Sequence, residues 1–140
     1  MKPATRTRIV ICRIHSRRGR TMQTIDILRL ADETGERYFN RVVAESGGQV
    51  VRMSVMTEPF AWHRHPDADE VFVGLDGTLL LETLEGGAIA QVRLARGQVA
   101  VVPRGAIHRT RPATARSVNL TVEPANASTE WCDGPADTST

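Results

Sequence analysis

From Gln49 onward the chain reads as short segments in which apolar side chains recur at every second position. In QVVRMSVM, Val51, Met53 and Val55 alternate against Val50, Arg52, Ser54 and Met56, the period of a strand with one face more polar than the other. The same alternation predicts strands over 70–75, 78–84, 88–94, 98–102, 107–111 and 116–122. Turn-forming pairs separate them at Asp76-Gly77, Gly86-Gly87 and Arg96-Gly97. Short, regularly spaced strands without a long helical period point to an all-β antiparallel sandwich or barrel, the jelly-roll class. No internal repeat is present, so one copy of the unit is expected, over 49–123.

The flanks follow other patterns. Ile25, Ile27, Leu28 and Leu30 predict a short strand or a helical turn, and Asp32 to Gly35 a turn. RYFNRVVAE, from Arg37 to Glu45, predicts either an extended arm or an ordinary edge strand of the same barrel, with Gly47 and Gly48 bending the chain back. Residues 22–48 thus form an N-terminal arm with strands. After Glu123 the composition turns to Pro, Ala, Ser, Thr and Asp with Trp131 as the one large apolar side chain, which predicts a flexible, unattached tail over 124–140. A lid pinned by Trp131 is the alternative.

Composition narrows the picture. A chain of 140 residues, 41% hydrophobic, suits one domain with its own core. No apolar run approaches the ~20 residues of a membrane span, so no membrane partner is expected. Cys12 and Cys132 lie near opposite ends, which leaves neither a disulfide framework nor a CxxC zinc site and, without a secretory signal, suggests a cytoplasmic protein. The net charge of +2 hides an asymmetry: seven basic and no acidic residues precede Met22, whereas the other 11 basic residues face all 16 acidic ones. Residues 1–21 read as a disordered basic leader or as an extension upstream of a start at Met22. The arm has no aromatic side chain for stacking on bases and no DNA-binding helix pattern, so nucleic-acid binding is not expected.

Candidate chemistry lies in WHRHPDADEVFVGLDG, which holds His63, His65 and Glu70, and in GQVAVVPRGAIH, which ends on His108. Along a strand His63 and His65 project to one face, with Trp62 and Arg64 on the other. Pro66 should end that strand, and the chain should fold back as a hairpin so that Glu70 faces the two histidines. Imidazole and carboxylate donors suit divalent ions from manganese to zinc. Gathering such groups on one buried face without an ion or a dense hydrogen-bond network costs several kcal/mol. His15, in the basic arm, is not expected to be a ligand.

These residues resemble the two motifs of the cupins. His63, His65, Glu70 and Gly77 match the first motif, although Thr57 stands where it opens on glycine. Gly97, Pro103, Gly105 and His108 match the second, which closes on asparagine where this chain has Pro112. The motifs stand in the right order, with His108 31 residues after Gly77. The resemblance implies a small single-domain cupin with a double-stranded β-helix, a homodimer, and N-terminal strands that cross to a partner subunit. Its relatives include metal-dependent dioxygenases, isomerases, decarboxylases and polyketide cyclases, so the fold alone does not choose a reaction.

Three neutral imidazoles and one carboxylate around one divalent ion, Fe(II), Mn, Zn or Ni, leave a net charge of about +1 and, at six-coordination, two open positions for oxygen atoms of a small molecule. The expected function is a metal-dependent enzyme acting on a small oxygenated organic molecule, of dioxygenase or isomerase/cyclase type. The alternative is a non-catalytic cupin that binds a small ligand as sensor or carrier. Glu70 is expected as a ligand or as ligand and base; Tyr38, Glu58 and Glu82 are the other candidate bases. Strand parity puts Thr110 beside His108 and turns Arg109 and Arg111 away. Arg52 could point inward, although a solvated outer arginine is more usual, and Phe72 with aliphatic neighbours reads as a mostly apolar pocket.

Overall fold

The computed structural model describes residues 14–15 and 21–135. The basic residues before Met22, and Cys12, lie outside the described residues. Ile14–His15 (β1) pairs antiparallel with Thr21–Met22 (β2). Ten further strands follow: Tyr38–Ser46 (β3), Gln49–Met56 (β4), His63–Arg64 (β5), Glu70–Asp76 (β6), Leu79–Glu85 (β7), Ala88–Leu94 (β8), Val99–Val102 (β9), His108–Pro112 (β10), Ser117–Pro124 (β11) and Glu130–Trp131 (β12). They form two five-stranded antiparallel sheets in the orders β3-β4-β11-β6-β9 and β12-β5-β10-β7-β8. This is the jelly roll, with every strand predicted between Gln49 and Glu123 in place.

The bends fall where glycine permits them. Gly47 and Gly48 have φ of 57° and 78°, and Ser46 pairs with Gln49 across them, a two-residue hairpin whose central residues must both be left-handed. At Gly77 the constraint is also steric, because an added Cβ would sit 2.1 Å from the Arg116 carbonyl oxygen. RYFNRVVAE forms the edge strand β3 on β4 of the same chain rather than a detached arm. The Ile25–Leu30 stretch resolves as a helix, Ile27–Asp32 (α1), whose Asp26 cap accepts from the Arg29 amide at 3.0 Å.

The helix determines which side of the first sheet is inside. Ile27, Leu30 and Ala31 pack on Met53, Val55 and Val118, with Phe39, Val43, Leu75 and Leu120 around them, all on the outer face of β3-β4-β11-β6. Arg116 secures the helix end, donating to the Ala31 carbonyl, to Asp32 at 2.9 Å and to Asp76 at 3.2 Å. Fully burying a side chain such as Met53 or Val55 stabilises by about 1.5–3 kcal/mol, enough to hold the apolar side of β4 outward. The barrel interior has its own cluster of Met56, Phe72, Leu79, Leu81, Leu94 and Val102 at one end. The polar side of β4 and β11 therefore lines the rest of the interior.

The segment after Glu123, expected to hang free, is attached through the described residues. Glu130 pairs with Arg64 and Trp131 with His63, and the Cys132 amide donates to the Trp62 carbonyl at 3.0 Å. Asp67 holds it further back, accepting from the Ser128 amide and hydroxyl at 3.0 Å each. Local composition gave no sign of this, because the partners lie some 60 residues earlier in the chain.

Candidate metal centre

His63 opens the two-residue strand β5, and His65 follows it directly, before Pro66. β5 pairs with β10 in the second sheet, with His63 and His108 in register, their rings 4.3 Å apart. Glu70 opens β6, which pairs with β11 and β9 in the first sheet. The hairpin expected to deliver three ligands is therefore a crossover between sheets. A two-residue strand stopped by proline cannot continue into a ladder with β6, and Glu70 reaches the histidines from the opposite wall. The Asp69 carboxylate accepts from the Arg104 amide at 2.7 Å and the His65 carbonyl from the Gly105 amide at 2.8 Å, which ties the first motif to the second.

All four side chains are buried: His63 6%, His65 7%, Glu70 7% and His108 1% exposed. One donor atom from each lies within 4.8 Å of the others. Each imidazole is oriented from behind, since Nδ1 of His63, His65 and His108 faces the carbonyl of Ala61, Ser128 and Ala106 at 2.8, 2.9 and 2.9 Å. A carbonyl can only accept, so every Nδ1 carries hydrogen and Nε2 is the nitrogen turned to the centre. Nε2 of His65 and of His108 each lie 3.2 Å from Glu70 Oε2. This donor set fits a divalent ion of the harder transition series. The four residues that the sequence singled out form a possible metal site.

The electrostatics agree. Burial alone would raise the Glu70 carboxyl, but hydrogen bonds from His108 and His65 outweigh it and bring it down to about 2. The hydrogen bond to Glu70 lifts His65 to about 9 against its own desolvation, while desolvation lowers His63 to about 4. Without an ion, the His65 imidazolium supplies the positive charge beside the carboxylate.

A cavity of about 260 Å³ opens beside these residues. Tyr38, stacked on Phe60 at 4.8 Å, lines it; burial raises the phenol above its ordinary value. Trp131 stands at its mouth, 5.9 Å from the His63 ring and 5.8 Å from Phe60. Polar side chains share the lining with the apolar ones: Arg52, Asn40, Asn119, Thr121 and Glu123 line it beside Met56, Phe60 and Phe72. Arg52 thus faces the cavity rather than solvent alone, and Glu123 Oε2 lies 3.7 Å from His65 Nε2. The polar alternation Ser117, Asn119, Thr121, Glu123 was visible in sequence, but the usual parity rule would have turned it outward. Among the other candidate bases, Glu58 pairs with Arg37 at the surface and Glu82 is bound by Arg109 and Arg111 on the outer face. Trp62 packs outside the barrel under the Arg109 guanidinium, 4.9 Å from its ring.

The jelly roll and its buried His/His/Glu/His cluster define a β-barrel class with a possible metal site, and comparison with known proteins gives the family. Residues 49–122 match the cupin domain model, and the chain belongs to the cupin family. An uncharacterised protein of Bacillus subtilis (strain 168), YdbB, is 36% identical over 104 residues, covering 74% of this chain and 88% of that protein. A cupin-2 domain containing protein from Shewanella frigidimarina superposes with a TM-score of 0.63 at 25% identity, over 71% of this chain and 93% of its own. Oxalate oxidase in complex with glycolate superposes with a TM-score of 0.60 at 17% identity, over 71% of this chain and 57% of its own, and shares the fold. No helix among the described residues is long and apolar enough to cross a membrane.

Proposed function

We propose that this cupin is a metal-dependent enzyme acting on a small oxygenated organic molecule, with one divalent ion, Fe(II), Mn, Zn or Ni, held by His63, His65, Glu70 and His108. One observation carries the reading: three imidazoles, each fixed by a carbonyl behind it, converge with a buried carboxylate beside a cavity of small-molecule size. When bound, such an ion supplies Lewis acidity toward an oxygen function or, as iron(II), redox chemistry with dioxygen. The chain supplies the rest. Phe60 and Trp131 restrict water at the mouth, and the polar wall of the first sheet orients the molecule. Glu70 is the proposed catalytic base as well as a ligand, since it is the one carboxylate of the cluster and its Oε2 is turned to the centre, 3.2 Å from His65 and His108 Nε2.

The test is metal content by mass spectrometry of protein purified without oxygen, beside a His63→Ala, His65→Ala, His108→Ala variant. About one equivalent of ion in the wild type, lost in the variant, is expected. Iron then directs the search to oxygen consumption with enolisable substrates, and zinc, manganese or nickel to isomerisation and cyclisation. A chain that takes up no ion even on reconstitution refutes the metal reading. A small molecule that co-purifies and is released unchanged by an ion-loaded protein favours the alternative, a non-catalytic ligand-binding cupin.

A further inference from the structure

The inner wall formed by β4 and β11 is polar where a barrel interior is ordinarily apolar. Asn119, Thr121 and Glu123 face the cavity from alternate positions of β11, with Arg52 in register with Thr121 and Ser54 with Asn119 on β4. Asn119 is 1% and Thr121 4% exposed. Yet Asn119 Oδ1, Thr121 Oγ1 and Glu123 Oε2 have no hydrogen-bond partner among the described residues. A buried polar atom left unpaired costs about 1–3 kcal/mol. Ser117 Oγ, on the same strand but away from the cavity, is a fourth; the three that border the cavity are an arrangement for an occupant.

The charges on the wall define that occupant. Its cation is already engaged: Arg52 Nη1 donates to Asn40 Oδ1 at 3.2 Å, and Nε lies 3.4 Å from Glu123 Oε1. What remains is a second carboxylate oxygen, an amide oxygen and a hydroxyl. Such a surface offers acceptors to neutral donors, beside an Arg52–Glu123 pair whose charges cancel. Glu123 Oε2, 3.7 Å from His65 Nε2, marks where the wall meets the His/Glu cluster, so one small molecule can touch both. The volume of about 260 Å³ is that of roughly nine waters, room for a small molecule.

We propose that the β11 wall is the recognition surface for a small polyhydroxylated acid or oxo compound. Its charged or carbonyl end faces the His/Glu cluster, and its hydroxyls donate to Glu123, Asn119 and Thr121. The placement of the first end rests on the metal reading above; the wall's preference for hydroxyl donors does not.

Isothermal titration of the zinc-reconstituted protein with three six-carbon acids tests it: gluconate with hydroxyls, hexanoate with none, and adipate with a second carboxylate. Gluconate should bind at least about tenfold tighter than either, since it alone makes the wall's hydrogen bonds. An Asn119→Leu, Thr121→Val variant with unchanged circular dichroism and zinc content should lose that preference and keep its affinity for hexanoate. If the pair misfolds, Thr121→Val and Glu123→Gln singly must each reduce it. The proposal is overturned if gluconate shows no advantage or no binding at about 10 mM, if adipate binds best, or if the preference survives the substitutions. A chain that takes up no zinc yet prefers gluconate through these residues refutes the metal reading and leaves the wall standing. A chain that binds zinc without the preference refutes the wall alone.

Discussion

Two glutamates of this barrel are buried to a similar degree, Glu70 at 7% and Glu82 at 3% exposed, and their surroundings differ in one respect. Glu82, on the outer face of β7, accepts from Arg109 at 2.6 Å, Arg111 at 3.0 Å and Gln91 at 2.9 Å. Its partners are two permanent cations, whose hydrogen bonds outweigh burial and hold its carboxyl below the usual range. Glu70, on the inner face of β6, meets imidazoles, which are cations only when protonated. One carboxylate is closed as part of the scaffold; beside the other, an imidazolium proton can be exchanged for an ion. Burial does not separate them. The permanence of the opposing charge does.

Swapping each glutamate for glutamine breaks the comparison most directly. Glu70→Gln should weaken ion binding by more than about 100-fold, beyond the loss usual for residues that merely support a ligand, as read by competition with a chelator. Glu82→Gln should do the opposite, leaving ion content intact and lowering stability by about 2 kcal/mol. That is less than the 3–5 of a fully buried pair, because the Arg109 and Arg111 side chains are 29% and 37% exposed and can rehydrate. Equal metal loss in both variants would undo the distinction.

Asp67→Ala probes how far the exchangeable site depends on the C-terminal segment. Asp67 holds Ser128, whose carbonyl orients His65. Affinity for the ion should fall roughly tenfold, within the range for outer partners of metal ligands, while the thermal midpoint of the ion-free protein moves little.

The smallest effects are in pH. The His65 imidazolium, held up to about 9 by Glu70, stabilises the ion-free fold fully below its unfolded value near 6.5, and that contribution is lost as pH rises through 9. Glu70, at about 2, contributes above its unfolded value near 4.3, and this is lost as pH falls toward 2. Urea midpoints in the presence of a chelator should therefore decline on the alkaline side in wild type and Glu82→Gln, but not in Glu70→Gln. Ion binding near pH 7 should release about one proton, from His65, measured by calorimetry in buffers of different ionisation heat.

The candidate ligands were legible because their chemistry is local. Two histidines two apart, a proline stop, a glutamate opening the next alternating run and a histidine after P-R-G form a pattern that short-range rules can read. Arg52, Asn119 and Glu123 were not legible, because their orientation depends on what covers the other face. Alternation says that two faces differ; it does not say which is inside. Apolar faces normally turn inward, and here Ile27, Leu30 and Ala31 bury that face from outside.

The sequence by itself therefore determined the strands, the glycine turns and the identity of the four converging side chains, since strand period, turn conformation and donor chemistry are properties of neighbouring residues. The tertiary structure decided that His63 and Glu70 belong to opposite sheets, that the 124–135 segment closes over Trp62 and His63, and that the polar face of β11 lines the cavity. Each of those depends on contacts between residues far apart in the chain, where the free energy of burying one surface overrides the local preference of another.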